Sequence, residues 1–507
     1  MKGQIKLGIV LSYFQMALGI VVGLIYTPLM IKGLGQSEYG LYNTVASTIS
    51  MLSILSLGFN AGYIRYYSRY KNNNEEEQIK RLNGMFLLLF LGIGFVALVC
   101  GLVLSSNLEI IFKDGLSSNE YEIARKLFLL LTINLAVSFP MSVFSTIISA
   151  HERFVVLKSL GIIKTVVSPL LTIPILLMGY GSVGMVIVMV TISIFVDFLY
   201  LFYCLLKLKC KFEFKSFDKA LFRDLTVYTS FIAINIIVDQ INWNVDKILI
   251  ARYKGTSSVA VYTVGYTLYS YYQQLSTSIS SIFTPKIHFI ENMVSEVETK
   301  NKKFTDLMIS VGRLQMIILG LAITGIVLFG RFFIEDIWAG KEFSQSFYVA
   351  LLLIIPATIA LIQNVGIEIQ RAKNKHQFRS IVYAVMAMIN ILLSIYLCQK
   401  FGAIGSAFGT SISLIVANGI IMNIYYYKVC GIDILIFWKK VSSIIFAGII
   451  PCVLWGGILK YIKVSSLGQF IVCGGLYTVT YIIFIWIVGL NRHEKEKINS
   501  ILKNHKC

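Results

Sequence analysis

The chain has 507 residues, 56% of them hydrophobic and 14% charged, with a formal net charge of +19. Soluble domains carry roughly 25% charged residues, so this composition excludes a soluble globular protein and points to a membrane protein with its charge in loops. The basic excess is spread over many short loops rather than gathered on one face, which argues against nucleic acid as a partner.

Residues 1–6, MKGQIK, lead into an apolar run over 7–31. That run is longer than a signal-peptide core and carries no small-residue cleavage site, so it reads as a retained first helix. Hydropathy predicts an all-α polytopic protein of about fourteen spans. They fall near 7–31, 40–64, 83–105, 122–149, 159–179, 183–206 and 226–252 in the first part of the chain. The rest fall near 258–284, 307–330, 346–369, 380–399, 404–427, 441–462 and 467–489. With the N-terminus inside, Lys and Arg favour the inside loops by roughly three to one. Both termini are therefore expected in the cytoplasm.

Taken in order, span 1 ends in a Gly-rich turn, Leu34-Gly-Gln-Ser-Glu-Tyr-Gly-Leu-Tyr42. Span 2 runs out through Arg65-Tyr-Tyr-Ser-Arg69 into the polar loop Lys71–Arg81. The inside loop Lys207–Arg223 carries six basic residues, with Phe212, Phe214, Phe217, Leu221 and Phe222 interleaved. It is expected to be amphipathic, to lie along the inner leaflet and to tether two halves.

The second half repeats the first. Gly35-Gln-Ser-Glu-Tyr-Gly-Leu-Tyr42 returns as Gly255-Thr-Ser-Ser-Val-Ala-Val-Tyr262, and Phe139-Pro140 returns as Ile355-Pro356. Ala150-His-Glu-Arg153 returns as Ala372-Lys-Asn-Lys375, and Gly181-Ser-Val-Gly184 as Gly402-Ala-Ile-Gly405. Six spans per half is even, so the repeat is parallel: two six-helix bundles plus two appended helices. The expected divisions are 1–206, a linker over 207–225, 226–427, and 428–507.

Span 7 is the least apolar. Asn235, Asp239, Asn242 and Asp246 fall within roughly 60° of one another on a helix, with Lys247 beside them. A carboxylate at mid-membrane costs at least about 2.5–3.5 kcal/mol, so it faces water or a partner. An interhelical hydrogen-bond seam would serve, but four polar residues in register favour a water-filled pathway. Arg65, Lys164 and Arg313 lie in the inner third of their spans, where they either snorkel to the interface or meet anionic phosphates.

The five histidines, His151, His288, His376, His493 and His505, lie in loops or the tail, far from any nucleophile. The eight cysteines form no CxxC pair. Neither an enzyme nor a resident cofactor or metal is expected. Gly179-Tyr-Gly-Ser-Val-Gly184 lacks the lysine of a phosphate loop, so transport would run on a membrane potential or on an H+ or Na+ gradient.

The LGxxxYGLY turn, Gly62-Tyr-Ile-Arg65-Tyr and Asp246-Lys-Ile-Leu-Ile-Ala251 resemble the polysaccharide-transporter branch of the multidrug/oligosaccharidyl-lipid/polysaccharide exporter superfamily. That branch contains the O-antigen and capsule repeat-unit flippases. The resemblance implies an undecaprenyl-diphosphate-linked oligosaccharide moved from the inner to the outer leaflet of a bacterial plasma membrane. It also implies dealings with membrane lipids, a polysaccharide polymerase and chain-length proteins. Arg65, Lys164 and Arg313 then become candidate diphosphate ligands, and the span 7 stripe becomes the sugar path. A drug or cation exporter of the same superfamily stays open, given Asp239 and the Tyr266–Tyr272 cluster. A membrane polymerase or ligase is disfavoured by the short outer loops.

Overall fold

The computed structural model describes residues 2–214 and 219–504, and no strand occurs among them. The helices run α1 (Lys2–Met51), α2 (Phe59–Asn72), α3 (Glu76–Ser106), α4 (Leu108–Phe112), α5 (Ser118–Ala150) and α6 (Phe154–Leu177). Next come α7 (Gly181–Phe202), α8 (Lys219–Lys254), α9 (Thr256–Ser281), α10 (Thr284–Met293), α11 (Val297–Phe332) and α12 (Gln345–Leu361). The last six are α13 (Asn364–Ala372), α14 (Gln377–Leu414), α15 (Met422–Lys428), α16 (Ile434–Tyr461), α17 (Leu467–Phe484) and α18 (Arg492–Asn504). The protein is an all-α polytopic membrane protein.

Among the described residues, ten helical stretches are long and apolar enough to cross a bilayer, or eleven when a bent pair within α8 counts as one. Two of the ten, Leu7–Asn72 and Gln377–Lys428, have 66 and 52 residues. At about 1.5 Å per residue each is long enough for two passes through a core about 30 Å thick. Each is broken at a glycine, Gly35 (φ 75°, ψ 170°) and Gly402 (φ 59°, ψ −135°). Helix α9 is 26 residues long. Its tyrosines, together with Gln273, Gln274 and a run of Ser and Thr near its C-terminal end, make it more polar than the other spans. The two glycine breaks, the bent pair and α9 account for the difference between ten and the fourteen spans expected from hydropathy.

The sequence repeat has a backbone counterpart. Gly35 and Gly255 both adopt positive φ (75° and 79°), as do Gly181 and Gly402 (62° and 59°). Glu152 and Asn374, paired by the repeat, are left-handed as well (58° and 55°). A positive φ is uncommon outside glycine, so such agreement at matched positions reports shared local geometry. Pro140 and Pro356 both lie inside helices, α5 and α12.

By contact density the chain divides into two compact units, Met1–Thr263 with Ile391–Ser406, and Val264–Asn390 with Ala407–Cys507. In the first, the core is aromatic, with Tyr63 edge-on to Phe86 at 5.0 Å and Phe86 stacked on Phe90. Tyr63 donates to Asn83 Oδ1 at 2.6 Å, and Asn83 Nδ2 donates to the Lys211 carbonyl at 3.0 Å. This bond explains a departure from the expected amphipathic surface segment. Residues 209–214 are not helical; they run against the start of α3, and Glu213 N–H donates to Lys80 O at 3.0 Å. Phe212 packs on Phe144 at 6.0 Å, and Leu221 and Phe222 join the same core. Phe217 lies outside the described residues. In the second unit, α16 and α17 pack on α11, and Tyr481 on α17 donates to Ile317 O at 3.0 Å.

Glycine permits one close approach in the first unit. A Cβ on Gly40 of α1 would stand 1.9 Å from the Thr256 carbonyl oxygen at the start of α9. Backbone, not a mobile side chain, is the obstacle, so one helix must move. Gly40→Ala is expected to cost about 1–3 kcal/mol, read as a lower melting temperature in detergent. Gly92→Ala is expected to be silent, because nothing lies within 4 Å of its added methyl.

Candidate functional site

Helix α8 carries the polar stripe, and packing divides it. Asn235 and Asp239 are exposed, Asn242 is half-buried, and Asp246 and Lys247 are buried. The Asp246 carboxylate accepts from the Tyr262 hydroxyl at 2.9 Å and from Ser406 Oγ at 2.7 Å. Seven residues, about 10.5 Å, separate Asp239 from Asp246 along the axis. One end of the stripe is thus fixed by hydroxyl donors and buried, while Asp239 at the other is exposed. Gln240 and Asn244 bond to each other across one helical turn at 2.6 Å.

The three basic candidates meet different surroundings. Helix α2 packs on α8 through Gly62, whose Cβ would touch Leu225 and Thr229. That contact sets the Arg65 guanidinium over the Tyr228 ring at 4.3 Å, exposed on its outer side. Lys164 lies ten residues into α6, about 15 Å from its start, and is exposed. Its ammonium donates to Ser193 Oγ on α7 at 2.7 Å. Asp197, one turn further along α7, feels the Lys164 charge and accepts from Ser138 on α5 at 3.4 Å.

Arg313 is a different case. Its side chain is 4% exposed and all five N–H groups are used inside the chain. Nε and one Nη2 hydrogen go to Glu494 at 2.7 Å each, and the other Nη2 hydrogen goes to Gly489 O at 2.8 Å. Nη1 donates to Ser443 Oγ at 2.8 Å and to the Lys440 carbonyl. Arg313 therefore fastens α11 to α16, to the end of α17 and to α18, and this arrangement leaves it no donor for a phosphate.

Two polar clusters were not singled out from the sequence. Asp197 is the only charged residue of α7, a lone carboxylate in an apolar run, and that was the available signal. Glu120 closes a capping box with Ser117, whose N–H and hydroxyl donate to Oε2 at 2.8 Å each. Its other oxygen accepts from Ser37 on α1 and Thr256 on α9 at 2.5 Å each. Nearby elements are tied by Arg252, which donates to the Ile110 and Ile111 carbonyls. Among the described residues no group of three or more His, Cys, Asp or Glu is placed to hold a metal.

A family profile described as polysaccharide biosynthesis protein matches residues 8–287, more than half of the chain. The chain belongs to this family. A curated relative from Shigella flexneri, described as a candidate O-antigen transporter, is 20% identical over 436 residues, covering 83% of this chain and 97% of the relative. Among solved structures, the lipid II flippase MurJ in an inward closed conformation superposes with a TM-score of 0.72 at 17% identity. It covers 94% of this chain and 97% of its own. A multidrug resistance MATE family transporter of the MOP superfamily, inward-facing, gives 0.61 at 12% identity, covering 84% and 95%. The polysaccharide biosynthesis family thus places the chain in the polysaccharide-transporter branch of that superfamily, among transport proteins rather than enzymes.

The Arg313 cluster makes a titratable prediction. Burial pushes the Glu494 carboxyl up, but the bonds from Arg313 and the Asn491 N–H outweigh it and hold its pKa below the usual carboxylate value. A depressed carboxyl stabilises above its unfolded pKa, and that contribution is lost as pH falls through the folded value. Glu494→Ala is expected to cost about 1.5–3 kcal/mol at neutral pH, since the bonds are charge-assisted. The gap in melting temperature between wild type and variant should close on acidification below about pH 4.5.

Proposed function

We propose that the chain moves an undecaprenyl-diphosphate-linked oligosaccharide from the cytoplasmic to the outer leaflet of a bacterial plasma membrane. The observation that carries this reading is the stripe on α8, where a solvent-exposed Asp239 stands at membrane depth in line with Asn235 and Asn242. Carboxylate and amide groups in a row offer sugar hydroxyls both acceptors and donors along a path. The ammonium of Lys164 and the guanidinium of Arg65 supply the charge that a diphosphate requires. Asp246 and Lys247 form the packed end of the path. The branch of the family and the names of its relatives support the same substrate class.

The two repeats work by alternating access, driven by a membrane potential or an H+ or Na+ gradient. The basic loops put both termini in the cytoplasm. The Ser37–Glu120–Thr256 cluster then belongs to the outer side and is the closed outer gate, bridging the span 1–2 turn to the matching turn of the second repeat. A polymerase and chain-length proteins receive the exported unit.

Asp239→Asn tests the path. In cells that depend on this chain for export, surface polysaccharide should fall about 10–100-fold, the equivalent of one lost charge-assisted contact. Protein abundance in the membrane should stay at the wild-type level, because neutralising a carboxylate at that depth relieves desolvation. Unchanged export would remove the stripe from the mechanism. Loss of export of an organic cation, with polysaccharide intact, would favour a cation exporter.

A further inference from the structure

Helices α1, α5, α6 and α7 enclose a charge arrangement that is unusual for its sparseness. Over residues 7–31, α1 carries no charge and only Tyr13 and Tyr26 can titrate. Between Lys126 and His151, α5 has no titratable residue at all. Helix α6 contributes Lys158 and Lys164, and α7 contributes Asp197 and Tyr200. Asp197 is thus the one anion that these four helices hold at membrane depth. It stands about 15 Å from the Lys207 end of its helical run, and Lys164 stands about 15 Å from the start of the antiparallel α6. The two charges share one depth.

The contact between them is indirect. Ser193 takes the ammonium at 2.7 Å, and Asp197, four residues on, acts on it through space. Ser138 holds the carboxylate from α5 at 3.4 Å, while Tyr200 bonds to the Leu157 carbonyl at 3.3 Å and senses the Asp197 charge. Gln15 of α1 fills the space over Gly161, one turn below Lys164, and brings no charge. Lys164 is exposed and its hydroxyl contact leaves two ammonium hydrogens for another acceptor.

From this geometry we infer that Asp197 is the resident counter-ion of Lys164, competing with the phosphate of a lipid-linked headgroup for the same ammonium. The inference rests on the reading of Lys164 as a diphosphate ligand and adds a release element to it. With the site empty, the Asp197 charge offsets an ammonium that would otherwise stand alone at membrane depth. When a diphosphate arrives, it faces both the attraction of Lys164 and the repulsion of Asp197. Net affinity is kept moderate, and the ammonium has a partner to return to when the headgroup leaves. Asp197 is a positioning residue that acts through Lys164. Removing its charge should tighten binding and slow turnover together, an outcome that a merely structural role does not produce.

The test uses the full-length protein in nanodiscs, titrated with undecaprenyl diphosphate, with inorganic pyrophosphate run alongside. Near pH 8, Asp197→Asn should bind the lipid more tightly than wild type by about 5–150-fold, the span of ordinary coupling free energies. The ratio should fall toward one as the pH is lowered until the wild-type carboxyl is protonated. Titration of the phosphate itself is common to both proteins and cancels in the ratio. Lys164→Gln should bind weakly, and adding Asp197→Asn to it should restore nothing. Asp197→Glu keeps the charge and should bind as wild type does, which separates loss of the charge from mere disturbance of the site. If Lys164→Gln weakens binding while Asp197→Asn leaves it unchanged at both pH values, the counter-ion inference fails and the flippase reading stands. If wild type binds the lipid at no pH, the flippase reading fails first. A ratio seen with inorganic pyrophosphate but not with the lipid would overturn the headgroup assignment.

Discussion

Charge in hydrocarbon is the constraint on which this structure depends. Each ionised side chain at membrane depth costs at least about 2.5–3.5 kcal/mol unless water or a partner answers it. The described chain answers its charges in three ways. Arg313 is satisfied by five hydrogen bonds and fastens helices. Asp246 is satisfied by two hydroxyls and fixes one end of a polar stripe. Lys164, Asp197 and Asp239 remain at least partly exposed. Groups of the first two kinds hold the fold, and those of the third kind are the ones the proposed path uses.

The same logic connects the repeat to motion. Paired glycines with matching positive φ mark the ends of paired spans, so the two halves turn in the same way at the same places. Around one such turn, Gly40 lets the Thr256 carbonyl approach α1, and Glu120 gathers hydroxyls from Ser37 and Thr256. These are short polar contacts. A gate that must open needs contacts of that kind, since they exchange for water at small net cost.

Much of this was legible in the sequence. Span number, the parallel repeat and the stripe follow from hydropathy, punctuation and helical period, which are local properties. What sequence did not disclose depends on contacts between distant positions. The stripe read as one continuous path, yet Ser406, 160 residues away, claims Asp246. Arg313 read as a phosphate ligand, yet Glu494, 181 residues away, takes two of its donors. The linker read as an amphipathic surface segment, yet the Asn83 amide captures the Lys211 carbonyl and holds the chain against α3. Asp197 carries a local signal, a single carboxylate in an apolar helix, but its neighbours Ser138 and Lys164 reach it only through the packing of α5 and α6 on α7.

The central claim is that the chain passes a lipid-linked sugar across the bilayer through a gate closed by the Ser37–Glu120–Thr256 contacts. The Ser37 and Thr256 hydroxyls lie 2.9 Å apart, close enough for a cysteine pair once the eight native cysteines are replaced. The most direct measurement reconstitutes that double variant in liposomes with a fluorescent lipid-linked oligosaccharide. Appearance of the sugar on the far leaflet is followed with a membrane-impermeant quencher. The account predicts rapid translocation when the pair is reduced, arrest when it is oxidised, and recovery on adding reductant. Equal rates in the oxidised and reduced states, or a rate no faster than in protein-free liposomes, would contradict it.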